Sequence, residues 1–423
     1  MTRSNWSVPE TEVVQSIRER LDERAAGADG PPDVLATVVG VEGNAYRRPG
    51  AKMVLSADGE GIGAITAGCL EEDLVSVADR IRETGRPEVV TYDLMDDEEE
   101  DVWGLGVGCN GVIDVLVEPL TETYRPAVEA FGAGRDVAVL TVLDGGDGAL
   151  ADGDRAYYRP DDGTLRTPEG DPATDWPDSL SDPAGALADR GRGDTLVVDD
   201  RAGGTVEVFV DGIAAPTELV VFGTGHDVGP VTELAARNDF RVTVVGFRGA
   251  VDLDDRFPEA DRTVTTSPAN VDEALAPDER THAVVMTHNF VDDRLVVESL
   301  LDAGVAYVGL MGPRERFEEM LEEFAAEGRT FDESELEPLY TPVGLDLGGG
   351  SPYQIAHSIV AEVLAVANDR RPGHLKAREG PIHERVDVGD GDDEGDGESD
   401  GTADDEGNNG TADGADEPDA RAR

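Results

Sequence analysis

The chain has 423 residues, with 92 acidic against 35 basic ones for a formal net charge of −57, yet 39% of it is hydrophobic, enough to build cores. That length exceeds one small core and predicts two folded units with extras. The charge argues against nucleic acid and anionic membranes as partners, and no run of 18 apolar residues offers a membrane span.

Residues 387–423 carry fifteen acids and two arginines, so the first 386 residues still hold a net charge of −44 and the acidity is global. Only Lys52 and Lys376 are lysines; the other 33 basic residues are arginines. This pattern reads as a halophilic, salt-in protein, because self-repulsion at such charge is tolerable where concentrated salt screens it within ~3 Å. Met1 to Glu12 lacks an export signal, and two cysteines are too few for a disulfide framework. The expectation is a soluble, cytoplasmic protein with both cysteines as thiols.

In chain order, an amphipathic pattern predicts a helix over Glu10–Arg24, then strands over Val34–Val41, Met53–Leu55 and Ile62–Ile65, the last two separated by an Asp58-Gly59 turn. A helix over Leu70–Arg82, a strand over Glu88–Asp93, a solvated acidic run over Asp96–Asp101 and a strand over Gly111–Val117 follow. The stretch Asp144–Arg192 is rich in Gly, Asp and Pro and precedes a hairpin, Thr195–Val198 and Thr205–Val210 around Arg201 to Gly204, which reads as turn chemistry without a second core.

From Ala214-Ala215-Pro216 onward the pattern alternates strand and helix, as in a parallel sheet. Strands fall at Glu218–Phe222, Arg241–Val245, Ala283–Thr287, Ala306–Leu310 and Leu339–Thr341. Helices fall at Val228–Arg237, Asp292–Ala303, Pro313–Glu327 and Pro352–Asp369, the last with Ser351 as N-cap and proline at its first position. Beyond Glu384 the composition buries too little to order itself.

Several motifs point to chemistry. Gly223-Thr-Gly225-His226 joins a strand to a helix, where backbone amides and the helix dipole hold phosphate. Val228 replaces the usual third small residue, and Gly246 stands where a ribose-binding acid is expected, while Arg248 suits an extra phosphate. The strand tips carry Thr287-His288-Asn289 and Gly309 to Gly312, and Gly344 to Ser351 offers a second amide cluster.

In the N-terminal part, Arg47, Arg48 and Lys52 surround a Pro49-Gly50 turn and predict an anion site. Cys69, followed by Glu71, sits at a helix start, and Cys109 with Asn110 sits in a glycine-rich loop. Two such thiols suit a soft metal, a redox pair or sulfur transfer, and the residues alone do not order these three.

Taken together, Tyr46 to Met53, Gly68 to Glu71, Gly104 to Gly111, Phe222 to His226, Thr287 to Asn289, Val308 to Gly312 and Pro342 to Asp346 resemble the XdhC/CoxI family, the accessory factors of xanthine and carbon monoxide dehydrogenases. The resemblance spans roughly residues 10–385. It implies an α/β protein with an α+β XdhC/CoxI-type domain over 1–216, a Rossmann-like parallel-sheet domain over 217–385 and a disordered acidic tail over 386–423. It also implies a chaperone-like factor, not a turnover enzyme, which binds a molybdopterin-type molybdenum cofactor. Such a factor supports sulfuration by a cysteine desulfurase and delivers the cofactor to the catalytic subunit of a molybdenum hydroxylase.

On this reading Arg47, Arg48, Lys52, Cys69, Glu71, Cys109, Asn110, Gly223, Gly225, His226, His288, Asn289 and Gly312 contact cofactor, Cys69 and Cys109 are the metal-facing thiols, and no residue is catalytic. A nucleotide or NAD(P) is a further ligand of the Rossmann half, and a homodimer is the self-assembly it allows. The competing readings are an NAD(P)-linked oxidoreductase with a cysteine at its centre and a ligand-free scaffold.

Overall fold

In the computed structural model, the structure describes residues 5–43, 46–93, 111–146, 148–201, 203–249 and 251–377. The predicted acidic run over 96–101, Cys109, Asn110 and the tail lie outside these residues. Three sheets form, each from a separate stretch of chain.

The first stretch holds α1 (Glu10–Ala25), β1 (Val34–Gly43), β2 (Lys52–Leu55), β3 (Gly61–Gly63), α2 (Glu71–Thr84), β4 (Glu88–Asp93) and β5 (Gly111–Pro119). Its strands pair antiparallel in the order β3-β2-β1-β5-β4. Alternation along β1 sends Val34, Ala36 and Val38 to one face, where Leu74, Val77, Ala78 and Ile81 of α2 cover them. Leu35 on the other face meets Val13, Ile17 and Leu21 of α1.

The second stretch holds α3 (Arg125–Gly132), β6 (Val137–Asp144), β7 (Arg155–Arg159), β8 (Thr164–Arg166), α4 (Ser181–Arg190), β9 (Gly193–Asp199) and β10 (Thr205–Ile213), with strand order β8-β7-β6-β10-β9. The predicted β9–β10 hairpin is present, its turn closed by Asp200 N donating to Gly204 O. The reading of Asp144–Arg192 as turn chemistry without a core is corrected here. Ala138, Leu140 and Val142 of β6, with Ala156 of β7, pack under Ala184, Leu187 and Ala188 of α4. Short strands separated by Asp and Gly turns diluted the alternating signal of this sheet.

The third stretch holds β11 (Glu218–Phe222), α5 (Val228–Ala236), β12 (Arg241–Gly246), α6 (Leu253–Arg256), β13 (Arg262–Thr265), α7 (Val271–Leu275), β14 (Thr281–Val285), α8 (Phe290–Ala303), β15 (Tyr307–Leu310), α9 (Arg314–Ala326), β16 (Leu339–Tyr340) and α10 (Pro352–Ala367). All six strands run parallel in the order β13-β12-β11-β14-β15-β16, the doubly wound Rossmann arrangement. Helices α5 and α10 cover one face and α8 and α9 the other. The sequence pattern missed β13 and its flanking helices because that edge strand is four residues long and half exposed.

All described residues lie in one compact unit. The third sheet docks by the amino ends of its strands. Arg280, just before β14, grips Asp136 at 3.0 and 3.1 Å; Arg241 opens β12 and donates to Phe131 O at 3.2 Å; and Asp239 accepts from Thr11 N at 2.9 Å. The carboxyl ends of the strands are the opposite edge of the sheet. None of the described helices is long and apolar enough to cross a membrane.

Candidate functional site

Strand order reverses between β11 and β14, and a crevice at the carboxyl ends of such strands is where a doubly wound sheet binds ligand. The loop leaving β11 crosses it. Gly223 takes φ +149° and donates to Val245 O, and a Cβ on it would stand 2.5 Å from Met286 O, so only glycine lets the chain pass the end of β14 this closely. Among the described residues the amides of Thr224, Gly225, His226 and Asp227 donate to no protein acceptor, and they precede the positive end of the nine-residue α5. His226 is exposed on this loop.

The loop leaving β14 supplies the other wall. Thr287 Oγ1 donates to Asp293 Oδ1 at 2.5 Å, and the Asn289 side chain caps α8 by accepting from Val291 N and Asp292 N at 3.0 and 3.1 Å. Thr287 and Asn289 thus hold the turn, and the residue between them is forced to φ +60°. That residue is His288, whose Nε2 lies 2.7 Å from Asp227 Oδ2 across the crevice. After β15, Gly312 takes φ +131°, and a Cβ there would stand 2.8 Å from Arg316 Cδ. Its bareness lets Arg316 reach back to the buried Asp293 at 2.5 Å. Gly312 and Asn289 therefore organise the crevice wall.

Both departures from a dinucleotide fingerprint have a structural cause. Val228 is fully buried and packs with the core under α5. At Gly246 a Cβ would stand 3.0 Å from Thr224 Cγ2 and 3.2 Å from Leu253 Cδ1, which leaves little room for the ribose-binding acid. Arg248, two residues on, is exposed and faces Asp292 at 3.5 Å.

The loop Gly344 to Ser351 is stapled to α10. Gly344 N and Tyr307 Oη both donate to Glu362 Oε2, at 2.8 and 2.7 Å, and Ser351 and Gln354 form a capping box. Burial, reinforced by Glu362, raises the Tyr307 phenol far above its ordinary range and keeps it a donor. Asp227, Asp293 and Glu362 were absent from the sequence-based site. A carboxylate among the apolar residues of a helix was the available signal for the last two.

The N-terminal cations do not converge. Lys52 is buried and its Nζ lies 2.9 and 2.8 Å from the two oxygens of Asp211, with Gly50 O at 2.8 Å. Arg47 pairs with Glu10, and burial lowers its guanidinium below the ordinary value while nearby Asp239 opposes that fall. Arg48 is exposed. The three-cation anion clamp is therefore replaced by one buried ion pair, one half-buried one and a solvated arginine.

Glu71 is fully buried and accepts from Thr66 N and Oγ1 and from Leu70 N at 2.9, 2.6 and 3.0 Å. Thr66 Oγ1 in turn accepts from Gly68 N, Cys69 N and Leu70 N at 3.3, 3.1 and 3.3 Å. Glu71 thus shapes the turn that presents the half-buried Cys69 thiol. Cys109 and Asn110 lie outside the described residues, and among those described no three His, Cys, Asp or Glu side chains gather as a metal set.

Comparison with known proteins bears on both halves. The family described as the XdhC Rossmann domain matches residues 219–363, and the one described as the XdhC and CoxI family matches residues 26–93. A probable xanthine dehydrogenase subunit of Bacillus subtilis (strain 168) is 29% identical over 335 residues, 78% of this chain and 92% of its own. The uncharacterized protein YqeB of Escherichia coli (strain K12) is 27% identical over 187 residues, 44% of this chain and 33% of its own. A crystal structure described as a xanthine dehydrogenase from Bacillus halodurans aligns with a TM-score of 0.64 at 26% identity, over 85% of this chain and 96% of that one. With the Rossmann strand order, both halves matched in order and a relative aligned over nearly its whole length, the chain belongs to the XdhC/CoxI family.

Proposed function

We propose that this protein is an accessory factor of a xanthine dehydrogenase-type molybdenum hydroxylase, one that binds a molybdopterin-type cofactor, supports its sulfuration by a cysteine desulfurase and passes it to the catalytic subunit. The observation that carries the reading is the crevice between β11 and β14. Four unpaired amides, two bare glycines and the positive end of α5 meet there, a fit for the phosphoryl end of such a cofactor. Family membership and the name of the Bacillus subtilis relative supply the client class.

Within this reading the amides of Thr224 to Asp227 hold the phosphoryl group, His288 stands beside it, and Cys69 offers a thiol in a turn fixed by Thr66 and Glu71. Neither Lys52 nor Arg47 is assigned to the ligand, since each already has a carboxylate partner. The bound cofactor supplies the redox chemistry in the client; this chain's residues bind, shelter and orient it. An NAD(P)-linked oxidoreductase is disfavoured by the crowding around Gly246.

The test is to purify the full chain from its own cells at native salt and measure bound pterin and molybdenum. Near-stoichiometric pterin, lost on substitution of Gly225, supports the reading. Absence of both pterin and molybdenum from protein co-expressed with its client would overturn it.

A further inference from the structure

Helix α10 differs in its chemistry from the acidic surface around it. Its 16 residues hold one acid and no lysine or arginine, and that acid, Glu362, is buried and already bonded to Tyr307 and Gly344. By contrast α9, 13 residues long, carries five glutamates and two arginines. At about 100° per residue, Tyr353, His357, Ala361, Leu364 and Asn368 fall on one stripe along α10, and all of them except the half-buried Ala361 are exposed. Of the eight large hydrophobic side chains exposed among the described residues, four lie between 347 and 375: Leu347 at 58%, Tyr353 at 50%, Leu364 at 36% and Leu375 at 65%. On a chain of net charge −57, an uncharged and partly apolar stripe marks a surface built to be covered.

The two ends of the stripe, about 24 Å apart along the helix, differ in charge. At its start Tyr353 Oη donates to Glu233 of α5, whose side chain stays 37% exposed. Beyond its end the chain carries Arg370, Arg371 and Lys376, all exposed, with no acid through Ala377. Arg192, immediately before β9, sits beside Arg370; burial and this second guanidinium both lower its own below the ordinary value. Like charges gathered in this way are relieved by a carboxylate brought to face them.

A partner of opposite net charge would be drawn to the acids that cover the rest of the chain, not to the face that lacks them. Two copies of this chain repel where acidic surfaces meet, but the stretch 352–377 carries a net charge of +1 where the remainder carries −58. A twofold axis across the middle of α10 runs two such helices antiparallel, which sets Arg370 and Arg371 of each copy against Glu233 of the other. We propose that α10 is a dimerisation helix: two copies of this chain pack their α10 stripes antiparallel across a twofold axis, with Leu364 in the apolar contact and the basic end of each copy on the acidic end of the other. The half-buried Ala361 and Ala365 let the two helices approach closely, to about 8–10 Å between axes.

Sedimentation of the full chain over a dilution series reads the mass directly, at about 1 M KCl, where long-range repulsion is screened within ~3 Å. The wild type should sediment as a dimer that dissociates on dilution. Leu364→Glu should weaken that dimer at least tenfold with an unchanged circular dichroism spectrum, because the side chain is exposed in each copy. Val197→Glu, at an exposed apolar position of β9, should keep the wild-type equilibrium. Arg370→Glu with Arg371→Glu should also weaken the dimer, and adding Glu233→Arg should recover much of the loss by pairing the exchanged charges. A wild type that is monomeric at every concentration overturns the proposal. So does a dimer that both Leu364→Glu and the double charge variant leave intact, which places the contact on another face. A triple variant no tighter than the double rejects the antiparallel pairing.

Discussion

Lys52 Nζ lies 2.8 Å from Asp211 Oδ2, with the two side chains only 6% and 5% exposed, so one buried ion pair fastens β2 of the first sheet to β10 of the second. Tyr124 Oη reaches the same carboxylate at 3.4 Å. One of only two lysines in the chain thus joins two sheets, where its neighbourhood in sequence had suggested a grip on an anion. Removing one member leaves the other charge buried and unpaired, which costs about 3–5 kcal/mol, whereas replacing both with apolar side chains of similar volume is often near neutral. Lys52→Met should therefore unfold at markedly lower denaturant than the wild type, and Lys52→Met with Asp211→Leu should recover most of the loss. Equal stability of wild type and Lys52→Met by chemical denaturation would return Lys52 to the ligand-binding candidates.

Glu71 and Cys69 give a second prediction, one that separates holding a thiol from holding a ligand. The Glu71 carboxylate takes three hydrogen bonds, and a hydrogen bond to a charged group contributes about 1.5–3 kcal/mol. Glu71→Ala should lower stability by roughly 3 kcal/mol and loosen the turn at Thr66. In a Cys109→Ser background, the Cys69 thiol should then react several-fold faster with a neutral alkylating reagent, and Glu71→Gln should fall between. An unchanged alkylation rate in Glu71→Ala would mean that the turn is held by other contacts.

Much of this architecture was legible in the sequence. Glu218–Phe222 is bounded as predicted, and Ser351 caps α10 as predicted, because continuous apolar runs and capping residues are local signals. Of the second sheet the β9–β10 hairpin was legible and the remaining strands were not, since Ala156 and Tyr157 are buried within the five-residue β7 between polar turns. The crevice was half legible: the glycine loop and His288 announce themselves, but Asp227 finds its partner 61 residues away, which no local pattern encodes. The cation cluster misled because Arg47 and Lys52 answer to Glu10 and Asp211, carboxylates distant in sequence.

His282 sets a pH prediction. It is buried under β14's neighbours, stacked on Tyr307 with ring centroids 6.2 Å apart, and burial lowers its pKa below the ordinary histidine value while a hydrogen bond to Arg280 O opposes the fall. The unfolded chain then binds the proton first as pH falls, so stability conferred by the neutral ring is present at neutral pH and is lost as pH drops below about 6.5. His282→Gln should flatten the dependence of unfolding free energy on pH between pH 6.5 and 5 by up to about 1.4 kcal/mol per unit. Parallel pH curves for wild type and variant would show that the ring takes up its proton alike in the folded and unfolded chain, and that burial does not shift it.

The last prediction concerns salt, and it follows from charge that the structure leaves on the surface. Buried pairs such as Lys52 with Asp211 and Arg155 with Glu118 neutralise only a few acids, while the chain as a whole carries −57. Repulsion among exposed carboxylates opposes folding, and its reach shrinks from ~10 Å at 0.1 M salt to ~3 Å at 1 M. Buried ion pairs are screened far less, so salt should remove the destabilising term and leave the stabilising one. Raising KCl from 0.1 to 3 M should therefore increase the midpoint of thermal unfolding, with most of the gain reached by about 1 M, where screening is already within ion-pair distance. Replacing acids on the exposed face of α9, for instance Glu318→Gln with Glu319→Gln and Glu322→Gln, should raise stability at 0.1 M KCl and change it little at 3 M. A midpoint independent of KCl, in wild type and triple variant alike, would mean that the acidic composition is not an adaptation to salt.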